Sequence, residues 1–273
     1  MRTKNDNYFA NINTEHKAYL LGFIAADGYV CNKPGNKSLT ICLAEKDREI
    51  LDIAKSQFGY DGDLYLRHME ANTSLRLRVY GDIFVNNLIH HGFDNLKTYR
   101  FHLPQIPERF YKDFIRGYFD GDGCIHFSKR KGRNKYRYAV TIMGAESFCR
   151  ELNGFIKKTI GISFSETPIK TLRNINIMSL RTERILDIKQ FLKYIYDGSS
   201  VFLTRKWKKH RELLKIHDEH NQEKRKLLTA ENILEIRQRI KTGEVLRSIA
   251  KDYGVTHGAI GGIKNGTSYS YVK

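Results

Sequence analysis

The chain has 273 residues, of which 41% are hydrophobic and 12% aromatic, which is enough apolar material for about two packed domains and excludes wholesale disorder. Lysine and arginine number 47 against 30 acidic residues, leaving a net charge of +17. That excess predicts a polyanionic partner, and we favour nucleic acid over a membrane because no amphipathic anchor or lipidation signal is present.

Cysteine usage and apolar patterning indicate the compartment. Cys31, Cys42, Cys124 and Cys149 form no CxxC pair and show no zinc-finger spacing, so we interpret them as reduced thiols. The start of the chain lacks the apolar segment of a signal peptide, and no apolar run is long enough to span a membrane. These features predict an intracellular, cytoplasmic protein.

The first part of the chain begins with an apolar helix over residues 20–28, which ends in an Asp-Gly pair. Short β-branched and aromatic runs predict strands over 29–31, 39–43, 64–67 and 75–79. Helical spacing of apolar residues predicts helices over 46–58, where Gly59 stops the helix, and over 82–90. The order is α-β-β-α-β-β-α.

The same order recurs from residue 115 onward. Residues 115–123 again form an apolar stretch that ends in Asp-Gly. Strands are predicted over 124–127, 136–142, 162–164 and 175–180, and helices over 147–160 and 183–196. A repeat of this length predicts a duplicated domain arranged about a pseudo-two-fold axis, hence an α+β protein with two αββαββα units, residues 1–104 and 105–211.

The remainder of the chain has a different plan. A strongly polar stretch over 212–227 predicts a linker, and residues 228–273 predict a small all-α domain. Thr229 is placed to cap its first helix, and Gly254 fits the turn between its second and third helices. This is the spacing of a helix-turn-helix, for which the alternative is an ordinary three-helix cap without DNA contact.

The candidate catalytic residues lie in the two stretches that end in Asp-Gly. Small residues recur four positions apart on one face of each helix, and two such faces allow helix backbones to approach closely. They are Gly22 with Ala26 and Gly117 with Gly121. Packed this way, both helices would end together and bring Asp27 next to Asp122. Two adjacent carboxylates repel unless a cation lies between them, and oxygen ligands with room for phosphate suit Mg²⁺.

Residues 20–28 and 115–123 both resemble the LAGLIDADG motif, and the chain resembles the single-chain, two-motif LAGLIDADG homing endonucleases over about residues 8–211. The resemblance implies a saddle of two antiparallel sheets that binds DNA. It also implies that the last acid of each motif, Asp27 and Asp122, binds Mg²⁺ together with the backbone carbonyls of Ala26 and Gly121, with Mn²⁺ able to substitute. Asp120 occupies the earlier, structural acid of the motif.

The resemblance also implies supporting residues near each metal. Lys97 and Lys206 match the family's basic residues, and for them an ordinary phosphate contact is an equally good interpretation. Glu45 matches a polar residue that follows the second strand in the family. We expect Gly144 at that place in the second unit, which would make the two cleavage centres unequal.

The basic residues on the strands and turns of both units form the expected DNA footprint. Each one by itself is more typical of a phosphate contact than of base recognition. They are Arg67, Arg76, Arg78, Lys129, Arg130, Lys131, Arg133, Lys135, Arg137, Lys170 and Arg173. In the helix-turn-helix segment the expected contacts are Thr256, His257 and Lys264.

Together these residues predict a monomeric, site-specific double-strand DNA homing endonuclease that hydrolyses both strands of a long, nearly asymmetric target across the minor groove. The family resemblance implies a mobile element, intron-encoded or free-standing. The alternative is a non-catalytic nucleic-acid-binding protein on the same scaffold, either an intron maturase or a transcription regulator. Retention of both acids favours the enzyme over the regulator.

Overall fold

The computed structural model describes residues 3–69, 72–94, 100–129, 136–169, 176–224 and 228–272. The chain divides into two compact units, Met1–Leu213 and Leu214–Lys273. Among the residues in these ranges, no helix is both long enough and apolar enough to cross a bilayer.

Within its described residues, the first half of the larger unit contains three helices and a four-stranded antiparallel sheet of order β1-β2-β4-β3. The helices are α1 (Glu15–Asp27), α2 (Arg48–Phe58, preceded by a 3-10 turn at Glu45–Asp47) and α3 (Asp82–His90). The strands are β1 (Gly28–Cys31), β2 (Ser38–Ala44), β3 (Tyr65–Met69) and β4 (Asn72–Tyr80).

The second half repeats the plan with a sheet of order β5-β6-β8-β7. Its helices are α4 (Tyr111–Asp122, preceded by a 3-10 turn at Glu108–Phe110), α5 (Glu146–Ile160), α6 (Ile185–Tyr196) and α7 (Thr204–Lys224). Its strands are β5 (Cys124–Lys129), β6 (Tyr136–Ala145), β7 (Ser165–Ile169) and β8 (Ile177–Thr182). The predicted α+β fold with two four-stranded antiparallel sheets is confirmed.

One predicted strand is absent from its expected place. The strand expected over residues 162–164 is wrong, because the Asn153 side chain donates to the carbonyl of Phe164 and accepts from its N–H. With both main-chain groups of Phe164 satisfied, strand pairing begins only at Ser165. The segment predicted as a linker over 212–227 begins within α7, which extends as far as Lys224.

The core of the larger unit lies between the central helices and the inner faces of the sheets. Every residue of α1 from Ala18 to Ala25 is buried, so this helix is enclosed on all sides. In β4, Leu75, Leu77 and Val79 are buried, and the alternating residues Arg76 and Arg78 therefore point away from the core. The outer faces of the sheets are thus free to carry polar side chains.

The smaller unit folds around its own apolar cluster. Its helices are α8 (Ala230–Lys241), α9 (Leu246–Asp252) and α10 (His257–Lys264). Thr229 forms a capping box with Asn232 at the start of α8, and Gly254 adopts a left-handed conformation (φ 63°) between α9 and α10. The buried side chains come from all three helices and from Leu228, which precedes α8: Leu228, Ile233, Ile236, Ile249, Ala250, Ile260 and Ile263.

Candidate metal and nucleic-acid site

The central helices α1 and α4 touch through glycine. A Cβ atom on Gly22 would lie 2.0 Å from the Phe114 carbonyl oxygen, and one on Gly117 would lie 1.9 Å from the Tyr19 carbonyl oxygen. No side chain fits at either position without separating the two backbones. The contact continues toward the C-terminal ends, where a Cβ on Gly121 would lie 2.3 Å from the Cβ of Ala26 and 3.0 Å from Oδ2 of Asp27.

The last residues of these helices are the acids Asp27 and Asp122, and both are exposed. In each helix the following glycine, Gly28 or Gly123, turns the chain into an extended conformation and leads directly into a strand. Because the helices lie against each other up to Gly121, both carboxylates stand at one end of the helix pair. The C-terminal end of a helix is its negative pole, so this end favours a cation.

Lys206 closes the end of α4. Its buried ammonium group donates to three carbonyl oxygens, those of Phe119 (2.6 Å), Gly121 (3.0 Å) and Gly123 (2.6 Å). Burial lowers the pKa of Lys206 to about 8, although the negative charge of Asp120 opposes that shift. Lys206 therefore lies at the helix end that carries Asp122. Lys97 lies outside the described residues.

Asp120 is fully buried and is bound by both halves. It accepts hydrogen bonds from the hydroxyls of Tyr19 (2.8 Å) and Tyr196 (2.6 Å) and from the N–H of Leu203 (2.7 Å). Burial raises the pKa of Asp120 above its ordinary value, against the effect of these hydrogen bonds. Since Leu203 directly precedes α7, Asp120 ties the start of that helix to the end of α4.

Arg116 forms a second buried anchor. Its guanidinium donates to Glu15 (2.7 Å), to Asp113 (3.0 Å) and to the carbonyls of Val201 and Ile195 (both 2.8 Å). Nothing in the sequence indicated that Glu15, 101 positions away, would be its partner. The signal that could have been used was a lone arginine within an apolar helix, which requires a buried acid elsewhere.

The sheet register corrects the expected counterpart of Glu45. Thr40 pairs with Tyr29, two residues after Asp27, and Thr141 pairs with Cys124, two residues after Asp122. Counting from these equivalent threonines, Glu45 corresponds to Glu146, and Gly144 corresponds to Leu43. Both halves therefore carry a glutamate where the second strand ends. The carboxylate of Glu146 accepts from Arg150 (3.0 Å), and Glu45 is exposed.

Gly144 instead lines a cavity of about 210 Å³ beside Asp122. Tyr118 forms part of its wall and donates from its hydroxyl to the Met143 carbonyl (2.8 Å). A Cβ on Gly144 would lie 2.4 Å from that hydroxyl oxygen. A larger residue at position 144 would therefore displace the Tyr118 hydroxyl.

The expected DNA contacts of the larger unit fall into three groups. Arg76 and Arg78 lie on the outer face of the first sheet. Arg67 belongs to β3, where its backbone pairs with Ser74 of β4. Lys129 and Arg137 are exposed on the second sheet. The others lie outside the described residues: Arg130, Lys131, Arg133, Lys135, Lys170 and Arg173.

Sequence reasoning missed Arg181, which lies on the outer face of β8 beside Thr141. It donates to Glu183 (2.7 and 3.0 Å) and to Thr141 (3.3 Å). On the first sheet, Arg78 packs its guanidinium on the Tyr80 ring at 4.7 Å. Strand alternation around residues 177–182 was the available signal for Arg181.

In the smaller unit the three expected contacts belong to one helix. Thr256 caps α10 by accepting from the N–H of Ala259 (3.2 Å), and His257 and Lys264 are its exposed first and last residues. Gly258 and Gly261 leave open space on the same helix.

The comparisons with known proteins agree with this architecture. The family model described as a LAGLIDADG-like domain matches residues 14–90, most of the first half. The fold is similar to that of the LAGLIDADG meganuclease I-CpaMI bound to uncleaved DNA, with a TM-score of 0.52 and 13% identity over 82% of this chain and 97% of that one. It is equally similar to I-AabMI bound to uncleaved DNA, with a TM-score of 0.52 and 13% identity over 83% of this chain and 98% of that one.

No curated protein matches the chain. At 13% identity the two meganucleases show the fold alone. The larger unit thus has the fold of the LAGLIDADG homing endonucleases, and a LAGLIDADG-like domain is present in its first half.

Proposed function

We propose that the protein is a site-specific, metal-dependent double-strand DNA homing endonuclease. The observation that carries this proposal is the glycine-mediated contact of α1 and α4, which brings two exposed terminal carboxylates, Asp27 and Asp122, to one end of the helix pair. One chain supplies both acids, so a monomer is sufficient to address both DNA strands.

The chemistry of this end of the helix pair fits a small divalent cation. Asp27 and Asp122 provide carboxylate oxygens, and the carbonyls of Ala26 and Gly121 lie next to them. Within the described ranges, no group of three or more acidic, histidine or cysteine side chains is arranged to hold a metal ion. Mg²⁺ is typically bound by one or two carboxylates together with water and substrate phosphate, so this set is sufficient, and Mn²⁺ would substitute. When bound, the ion would lower the pKa of a water molecule and neutralise phosphate charge.

The residues around the acids would act on the phosphodiester. Lys206 holds the end of α4 in place through three carbonyls, and its positive charge lies close to the negative charges of Asp27 and Asp122. A fixed cation there favours a developing negative charge on phosphate. Glu45 and Glu146, at equivalent positions after the second strand of each half, are suitable to orient water at the two centres.

The outer faces of the two sheets would bind the DNA on either side of the cleavage point. They carry Arg76, Arg78, Arg137 and Arg181, and the net charge of +17 supports a polyanionic partner. Antiparallel strands can reach base edges in the major groove. Because the two faces bear different side chains, we expect a long target without exact symmetry.

The smaller unit would extend the footprint as a helix-turn-helix. The capped start of α10, with Thr256 and His257, offers backbone N–H groups and polar side chains for phosphate, and Lys264 adds a charge. Tethering a second DNA-binding unit to the first raises the overall affinity without any new contact between them.

The test is cleavage of a plasmid that carries the uninterrupted form of the gene's own insertion site. With Mg²⁺ the wild-type chain should linearise it, and Asp27→Asn and Asp122→Asn should each lower the rate by at least about a thousandfold while DNA binding is retained. Binding of that site without cleavage by the wild-type chain would contradict the enzyme and favour a non-catalytic maturase or regulator.

A further inference from the structure

The first turn of α7 belongs to the second half of the chain but is fixed to the first half. Glu49 of α2 accepts hydrogen bonds from the N–H (2.7 Å) and the hydroxyl (2.6 Å) of Thr204. The next residue, Arg205, donates from Nε to Asp47 (2.7 Å), whose side chain is only 7% exposed. Two acids of the first half therefore hold two consecutive residues of the second.

These contacts involve only one nitrogen of the Arg205 guanidinium. Its Nε is bound to Asp47, whereas its two terminal nitrogens donate to no other described residue. The side chain is 46% exposed. The buried acid fixes the inner nitrogen of this arginine and leaves the terminal nitrogens available. These nitrogens are therefore oriented to bind an external oxyanion.

Arg205 lies beside the Asp27 end of the site. Its neighbour Lys206 donates to the carbonyl of Gly121, and a Cβ built on that same glycine would lie 3.0 Å from Oδ2 of Asp27. Burial lowers the pKa of Arg205, but Asp47 first, and then the charges of Asp120 and Asp27, raise it above its ordinary value. The guanidinium thus stays charged close to a proposed metal ligand.

We propose that Arg205 binds the phosphate at the cleavage centre of the first half, so that the second half contributes a catalytic residue to the centre of the other. This assignment rests on the proposed endonuclease function. Asp47 would act as its positioning residue. A guanidinium with two free terminal nitrogens can bind two phosphate oxygens and stabilise the charge that develops during hydrolysis.

The experiment measures the cleavage rate of each strand separately, on an end-labelled duplex of the insertion site. In Arg205→Ala we expect one strand to be cut about tenfold to a hundredfold more slowly than in the wild type and the other strand to change little. Nicked DNA should accumulate as a result. Arg205→Lys should retain part of the rate because it keeps the charge without the planar pair of donors.

Two control variants separate this role from a structural one. Thr204→Val removes the hydroxyl contact with Glu49 but leaves the guanidinium, and Arg48→Ala removes an exposed arginine of α2 that pairs with Asp52. Neither should bias cleavage toward one strand. Equal slowing of both strands in Arg205→Ala, or the same bias in Thr204→Val, would overturn the assignment. Absence of cleavage by the wild-type chain would instead overturn the proposed function, and the assignment with it.

Discussion

The central helices of the two halves carry different side chains at equivalent positions. In α4, Arg116 and Asp120 occupy the places that Leu21 and Ala25 occupy in α1. Each of these two residues has a partner in the first half, since Glu15 binds Arg116 and Tyr19 binds Asp120.

This difference explains why each half packs against the opposite half and not against a second copy of itself. If two copies of the first half packed together, the buried hydroxyl of Tyr19 and the half-buried carboxylate of Glu15 would lose these partners in each copy. The apolar contact of the glycines supplies close packing, and the polar pairs supply specificity for the opposite half. Buried polar groups are best attested in this role of fixing a register.

The largest expected effect on stability comes from a substitution at Arg116. Arg116→Leu copies the residue of the first half, but it leaves Glu15 and Asp113 without their cation and two buried carbonyls without a donor. We expect a loss of about 3–5 kcal/mol in the free energy of unfolding. The fluorescence of Trp207, the chain's single tryptophan, would report urea unfolding of the larger unit. Arg48→Leu, at an exposed arginine, should change stability by less than about 0.5 kcal/mol.

A smaller effect is expected from pH, through a buried histidine of the second half. His210 stacks on Tyr196, the partner of Asp120, at 5.3 Å. Burial, with the charge of Arg211 in addition, lowers the pKa of His210 to about 4. The unfolded chain therefore binds a proton at His210 below about pH 6.5, whereas the folded chain does so only near pH 4.

His210 should accordingly make the folded state less stable as the pH falls from about 6.5 to about 4, by about 2–3 kcal/mol. In His210→Phe, which keeps an aromatic ring against Tyr196 and cannot titrate, this part of the pH dependence should disappear. The measurement is the free energy of unfolding of both proteins across that window. Parallel pH profiles would show that His210 makes no such contribution.

The smallest expected effect concerns the glycine contact that both halves share. Gly117→Ala places a methyl group within 1.9 Å of the Tyr19 carbonyl oxygen, so the helices must separate. We expect a cost of about 1–3 kcal/mol and a lower cleavage rate, because the two carboxylates move apart. Gly154→Ala on α5, where a Cβ meets nothing within 4 Å, should instead stabilise by about 0.5–1 kcal/mol. Equal stability of Gly117→Ala and the wild type would contradict the close contact.

Much of the fold could be predicted from local patterns in the amino-acid sequence. The helix predicted over residues 82–90 has the same bounds in the structure, and Gly59, which was predicted to stop a helix, adopts a left-handed conformation there. The placement of Asp27 and Asp122 at helix ends also follows from neighbouring residues alone. These features depend on interactions within a few positions of the chain, so a single sequence contains them.

The partners across the chain were decided by tertiary structure. Glu15 lies opposite Arg116, Lys206 closes the end of α4, and Arg205 joins Asp47 of the other half. The register of β6 makes Glu146, rather than Gly144, the counterpart of Glu45. Local periodicity tells which residues turn toward the core, but it does not contain the pairing of residues a hundred positions apart. That pairing depends on how the two halves pack, because a buried charge such as that of Arg116 is stable only where packing brings a partner to it.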